Sequence, residues 1–295
     1  MTLSQQQLTK AQRREAARLE AQRVADLNAA RDARLKKMVW GGLGALVVIL
    51  VGAVLLVTRP WQSGAGVPNF EAVPMSELSH VPANTIADGG FALTAAGGTT
   101  SYLNPDIPTV DIYFDYMCSW CAHFEFINQE SLEQLVADGE ANVVMHPVAI
   151  LNHFTPLTQF STRSVAAAGW IADQAPGYFA DFHLAMFLNQ PTTATGGDMS
   201  NAEIAGVAAA VGVPQAVVDG IADGTAVRTF GQWAVSLTQA ILDNPAVRTP
   251  DGGFGTPTLL IDGVRCSEYS PCGTWEGDWS DPSGIPGAVA EMAAG

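Results

Sequence analysis

The stretch Val110-Asp111-Ile112-Tyr113-Phe114-Asp115-Tyr116-Met117-Cys118-Ser119-Trp120-Cys121 decides how the chain is read. In its first seven residues Val110, Ile112, Phe114 and Tyr116 alternate with Asp111, Tyr113 and Asp115, the two-residue period of a strand. Beyond the cysteines Phe124, Phe126, Ile127, Leu132 and Leu135 recur at helical spacing. Two cysteines separated by two residues therefore stand where a strand hands over to a helix. There the first sulfur faces unpaired backbone N–H groups and the positive end of the helix dipole. Such surroundings stabilise a thiolate, the nucleophile of disulfide chemistry. The second cysteine lies one turn further in, within reach of the first. Cys118 can exchange with a client cysteine, and Cys121 can resolve the mixed disulfide. A structural staple or half a zinc site would also place two cysteines this way, but zinc needs two more ligands at suitable spacing. No second Cys-X-X-Cys exists, His123 lies along the same helix, and His146, His153 and His183 form no ligand pattern. Neither a metal nor a cofactor is expected.

Working outward, Phe91-Ala92-Leu93-Thr94 reads as an edge strand and Ala141 to Ile150 as a second core strand. Residues from about 160 to 245 turn helical. Ala166-Ala167-Ala168, Tyr178 to Leu188, Glu203 to Val211 and Ala226 to Leu242 lack strand character, with Gly196-Gly197 and Pro214 as separators. Then Pro257-Thr258-Leu259-Leu260-Ile261, the dipeptide Asp262-Gly263 and Val264-Arg265 read as a hairpin. A helix from about Ile285 to Met292 closes the chain. The order is strand, Cys-X-X-Cys helix, strand, helical block, hairpin, helix. It predicts an α/β domain over residues 90–295, with the helical block of about 160–245 inserted in it.

Toward the N-terminus, residues 58–89 carry Pro60, Pro68, Pro74 and Pro82 among Gly, Ser and Asn, and read as an extracytoplasmic linker. Met38 to Val57 contains no charge. As a helix this run would rise roughly 30 Å, the thickness of a bilayer's hydrocarbon core. Lys36, Lys37 and Arg59 flank it, and Trp40 and Trp61 suit the two interfaces. Residues 1–37 hold nine Lys/Arg and four Asp/Glu, so the positive-inside bias places them in the cytoplasm and everything after Arg59 outside. The expected location is the cell membrane, with one transmembrane helix. A cleaved signal peptide is the rival reading; it would need an unusually long basic segment, and no Ala-X-Ala site follows the apolar run.

After Arg59 only Arg163, Arg228, Arg248 and Arg265 are basic, against 25 Asp/Glu. Such acidity argues against a nucleic-acid partner, which needs clustered cations. All four cysteines lie beyond the apolar run, on the oxidising side. Cys266 and Cys272 are separated by five residues, and a bridge between them would contribute about 2–3 kcal/mol by chain-entropy arguments. A structural bridge is the favoured reading; a second redox pair relaying electrons to Cys118 and Cys121 is the alternative.

The chain resembles the DsbA-like branch of the thioredoxin superfamily. Phe114-Asp115-Tyr116-Met117-Cys118-Ser119-Trp120-Cys121 is similar to that branch's strand-to-active-site signature, and Phe254-Gly255-Thr256-Pro257-Thr258-Leu259-Leu260-Ile261-Asp262-Gly263 to its Gly-Thr-Pro-Thr hairpin. The resemblance covers about residues 85–295 and implies a thioredoxin-like fold with an inserted helical subdomain. It implies that Pro257 is cis and faces the cysteines, leaving the backbone of Thr256 free to pair with an extended client. Ser119, Trp120, Thr256 and Pro257 would form the docking surface. Asp115 either tunes the thiols or passes a proton to Cys121, or is simply an acidic residue near a helix start. Members of the branch usually carry Pro after the first cysteine and often His before the second. Here Ser119-Trp120 stands instead, and Trp cannot stabilise a thiolate as a protonated His does, so a less oxidising pair is expected.

The function these features predict is an extracytoplasmic oxidoreductase that installs disulfides in unfolded exported proteins. A membrane quinone-linked partner that recycles it is implied by the resemblance alone. A reductase or isomerase, including one serving cytochrome maturation, is the second reading. A non-catalytic module stapled by two bridges is the third.

Overall fold

The structure, a computed structural model, describes residues 67–191, 197–266 and 279–294. The sheet is built around β3 (Thr109–Phe114) and β4 (Asn142–Pro147), which run parallel and are joined by helix α1 (Ser119–Asp138). β1 (Phe91–Leu93) pairs antiparallel with β4, and β2 (Thr99–Thr100) with β1. On the other side β5 (Thr258–Ile261) pairs antiparallel with β3, and β6 (Val264–Cys266) with β5. The order across the six strands is β2-β1-β4-β3-β5-β6. This is an α/β arrangement, as the order of sequence elements predicts, and of the thioredoxin-like kind that the resemblance implies.

Between β4 and β5 come α2 (Phe160–Gln174), α3 (Phe179–Leu188), α4 (Asn201–Ala210), α5 (Gln215–Ala222) and α6 (Thr225–Asp243). The last helix, α7 (Gly284–Ala294), packs on α1. The Ala166-Ala167-Ala168 run lies within α2, whose residues from Phe160 to Gly169 are all buried. Small side chains let α6 approach closely: a Cβ at Gly169 would sit 2.8 Å from the ring of Trp233, which is itself wholly buried. The hairpin turn at Asp262-Gly263 has positive φ at both residues (49° and 75°), the conformation that Asp-Gly favours.

Both core strands are shorter than their apolar runs. β3 stops at Phe114 because Asp115 starts a turn: its side chain accepts from Met117 N–H at 2.9 Å, and its carbonyl accepts from Cys118 N–H at 2.9 Å. β4 ends at Pro147 because its partner β3 turns away at Asp115; the last bond between them runs from Val148 N–H to Phe114 carbonyl at 2.8 Å. At its far end α1 stops where Gly139 takes up φ +69°, with the N–H groups of Gly139 and Glu140 bonded back to Leu135 carbonyl.

Of the linker expected at 58–89, the described residues 67–89 are packed against the domain. Val67, Phe70, Met75 and Leu78 pack against the core. Val73 N–H donates to Ser236 Oγ on α6, while Ala83 N–H and the Asn84 amide donate to Asp173 and Ala172 on α2. The apolar side chains scattered among the prolines turn this stretch into a strap across the helical layer. The transmembrane helix expected at 38–57 and the basic segment 1–37 lie outside the described residues. Among the described residues no helix is long and apolar enough to cross a membrane.

Candidate active site

Cys118 occupies the N-cap of α1, with extended backbone angles, and Cys121 lies one turn inside. Both are free thiols, 8% and 1% exposed. The site is assembled from two loops. The first is the Asp115 turn just described. The second precedes β5, where the Thr256–Pro257 peptide is cis and Thr256 carbonyl accepts from Cys118 Sγ at 3.2 Å. The antiparallel register of β3 and β5, with Tyr113 opposite Thr258, brings the two loops together. Residues 138 positions apart in sequence thus meet at one sulfur.

The two thiols are driven in opposite directions. A hydrogen bond from Cys121 is the main influence lowering Cys118, joined by the Thr256 side chain and by the backbone N–H groups of Cys121 and Trp120; burial opposes them, and the result is a pKa of about 6. Cys121 is pushed well above the ordinary thiol value, first by burial and then by its bond to Cys118. The arrangement favours a thiolate at Cys118 and a retained proton at Cys121 beneath it, which is the division of labour that exchange chemistry needs.

Asp115 is completely buried against this turn. Its carboxylate accepts from Met117 N–H (2.9 Å), Leu151 N–H (3.0 Å) and Ser161 Oγ–H (2.8 Å). Burial outweighs those three bonds and raises its pKa to about 6, with a further push from Cys118. Asp115 therefore joins the strand-to-helix turn, the loop after β4 and the start of α2.

Several supporting groups carry no sequence signature. Gln190, just past α3, donates its amide to the carbonyls of both Tyr116 and Cys118, at 2.8 and 2.9 Å. Below them the Tyr116 hydroxyl lies 3.1 Å from His183 Nδ1, and His183 Nε2 lies 3.0 Å from Glu125 Oε1. The second contact has ion-pair distance but not the alignment of a hydrogen bond. All three residues are buried. Burial and the Glu125 carboxylate keep the Tyr116 phenol protonated far above its usual range.

The outer surface is apolar. Trp120 is 63% exposed, and its ring, with those of His123 and Trp279, forms a cluster with centroids 5.9 to 6.4 Å apart. Ser119 is exposed beside it. Next to Pro257 a cleft of about 650 Å³ is lined by Thr249, Phe254, Gly255, Thr256 and Arg265. Cys266, at the end of β6, is disulfide-bonded, and Cys272 lies outside the described residues.

A family model described as Thioredoxin matches residues 104–276. Among solved structures the chain is similar to MdbA, a thiol-disulfide oxidoreductase from Actinomyces oris, with TM-score 0.57 and 22% identity over 75% of this chain and 96% of that one. It is also similar to the reduced form of the disulfide bond oxidoreductase DsbG from Mycobacterium tuberculosis, with TM-score 0.52 and 24% identity over 70% and 88% of the two chains. Both likenesses are of fold. In sequence it is 27% identical over 202 residues to the serine/threonine-protein kinase PknE of Mycobacterium tuberculosis, covering 68% of this chain. The chain spans about a third (34%) of the length of that relative.

Proposed function

The chain belongs to the thioredoxin family, and on that footing we propose that it is a DsbA-like thiol–disulfide oxidoreductase that forms disulfides in exported proteins. The observation that carries this reading is the split between its thiols: Cys118, at the helix start and 3.2 Å from Thr256 carbonyl, is acidified to about 6, while Cys121 beneath it keeps its proton.

In the oxidising direction a client thiolate attacks Sγ of Cys118 in the Cys118–Cys121 disulfide. The S–S bond breaks, Cys121 leaves and takes up a proton, and a mixed disulfide joins the client to Cys118. A second client thiolate then attacks the client sulfur, and Cys118 departs as a thiolate. The client loses two electrons to the cysteine pair. A thiol with a pKa of about 6 is a good leaving group, so the second step is favoured and the dithiol form is stabilised. Trp120 and the cleft beside Thr256 and Pro257 offer apolar area to an unfolded client. We further propose that a transmembrane helix at 38–57 holds the domain outside the cell membrane, with 1–37 in the cytoplasm, and that a membrane quinone-linked partner reoxidises the pair.

Trapping tests the proposal. Cys121→Ala should accumulate mixed disulfides between Cys118 and exported proteins, and Cys118→Ala should abolish them. If neither variant captures clients while wild type holds the pair mostly reduced in cells, the reductase or isomerase reading replaces this one.

A further inference from the structure

His146 and Asp111 share one face of the sheet. The parallel register sets Tyr113 opposite His146 and Asp111 opposite Val144, one pleat away. His146 is 1% exposed, and its ring is held flat against Tyr113, with centroids 4.4 Å apart and planes 11° from parallel. Nε2 lies 2.8 Å from Asp111 Oδ1. The other nitrogen, Nδ1, is buried and has no hydrogen-bond partner. It faces Asp88 Oδ1 at 4.0 Å, too far for a hydrogen bond.

The loop that supplies Asp88 is shaped to lie on this ring. Gly89 has φ +89°, and a Cβ on Gly90 would sit 2.5 Å from His146 Cε1 and 2.8 Å from Nδ1. Gly90 N–H holds Asp88 Oδ1 at 3.1 Å, and paired bonds between Ile86, Gly89 and Gly90 close the turn. The two glycines let the backbone drape over the imidazole and aim a carboxylate at its unpartnered nitrogen. One donor atom from each of Asp88, Asp111 and His146 lies within 4.8 Å of the others.

We propose that His146, Asp88 and Asp111 form a zinc site, in which His146 Nδ1 and the Asp88 carboxylate are direct ligands and Asp111 holds the proton on Nε2. A proton on Nδ1 would have no acceptor within reach, whereas an ion fills the gap. Zinc–nitrogen and zinc–oxygen bonds of about 2.0–2.2 Å at tetrahedral angles set their donors roughly 3.4 Å apart. The observed 4.0 Å needs a small inward swing of Asp88, which is free to make it because its side chain is 59% exposed. Asp111 on Nε2 fixes the tautomer that leaves Nδ1 a lone pair, the usual outer partner of a metal-bound histidine. Imidazole with carboxylate suits zinc better than calcium or magnesium; two protein donors fall short of the three or four that hold a resident zinc, so the ion proposed is an exchangeable one, with water in its remaining positions. The bound ion would clip the loop before β1 to the two central strands. The site shares no residue with the reactive centre.

The test uses the full chain with Cys118 and Cys121 held as a disulfide, so that their sulfurs cannot bind metal. Equilibrium dialysis with zinc chloride should find one ion bound, and saturating zinc should raise the thermal midpoint. Asp88→Asn, at an exposed position, should weaken binding at least tenfold and cancel the thermal shift while exchange activity is unchanged. Asp111→Asn should weaken binding about tenfold through the imidazole. The proposal is overturned if wild type retains no zinc, or if Asp88→Asn binds it equally well.

Discussion

One proton separates the two cysteines of the pair, and a buried carboxylate stands next to it. Asp115 and Cys118 both titrate near 6, and the Cys118 thiolate raises Asp115, so the two should release their protons as a coupled pair. Alkylation of Cys118 by iodoacetamide is expected to follow a midpoint near pH 6, with Cys121 unreactive through neutral pH. Removing the neighbouring negative charge should acidify Cys118 further, so Asp115→Asn is expected to move that midpoint downward. The same change sets an amide N–H₂ among three donors, at Met117, Leu151 and Ser161, and should lower stability by about 1–3 kcal/mol. Ser161→Ala is the intermediate case: it removes one bond that holds the Asp115 carboxyl down, so it should raise that carboxyl and move the Cys118 midpoint in the same direction as Asp115→Asn, by less. The sign for stability follows from the directions. Cys118 is depressed below the ordinary thiol value of 9.0, so its ionisation favours the folded dithiol form. That contribution is complete above pH 9 and lost as pH falls through 6. Asp115 is raised from 3.8 to about 6, so its contribution is greatest below pH 4 and lost as pH rises through 6. An unshifted alkylation midpoint in Asp115→Asn would show that the carboxylate only shapes the turn.

At the scale of elements, the strap of residues 67–89 has a mechanical test. A Cβ on Gly231 of α6 would come within 2.2 Å of the Phe70 ring, so Gly231→Ala must displace the ring or the helix. Overpacking of this kind costs about 1–3 kcal/mol. In a Phe70→Ala background the clash is gone, and alanine's better helix propensity, worth about 1 kcal/mol, should make Gly231→Ala neutral or stabilising. Urea unfolding of the four proteins in the cycle measures the coupling; equal effects in both backgrounds would mean the strap is not held there. The strap also shows where reading the sequence stops. Strands β3 and β4, helix α1, the helical block and the Asp262-Gly263 hairpin all follow from periodicity and turn chemistry, which are local. The docking of Phe70 on Gly231 is not local: proline and glycine density reads as a spacer whether or not the intervening apolar residues find a groove. The same limit divides the site. Cys118, Cys121 and the Thr256-Pro257 loop are marked by motifs, whereas Gln190, His183 and Glu125 come to the reactive turn through α1 and α3 packing, and Asp88 meets His146 through strand register. No spacing in the chain announces those encounters.

For the whole molecule, the direction of electron flow is a question of potential, and the acidity of one sulfur constrains it. Thioredoxin pairs a nucleophilic cysteine of pKa about 7 with a potential near −270 mV, and DsbA one of about 3.5 with a potential near −120 mV. The pKa of about 6 at Cys118 lies nearer the first of these than the second, so the pair is expected to fall short of the strongest oxidants. The chemistry of the intervening dipeptide agrees. Ser119 and Trp120 bring no positive charge, and His123 lies among aromatic rings in place of the position between the cysteines. Ser119-Trp120→Pro-His should accordingly lower the Cys118 midpoint and shift the potential toward the oxidising end. Equilibration of the full chain against glutathione buffers measures both. With a pair of only intermediate potential, sustained oxidation of clients depends on rapid reoxidation of Cys118 and Cys121. A membrane anchor would favour that by confining the domain beside a quinone-linked partner. A measured potential near −120 mV would remove the need for such confinement and would show that the helix N-terminus and Thr256 stabilise the thiolate more than their hydrogen bonds indicate.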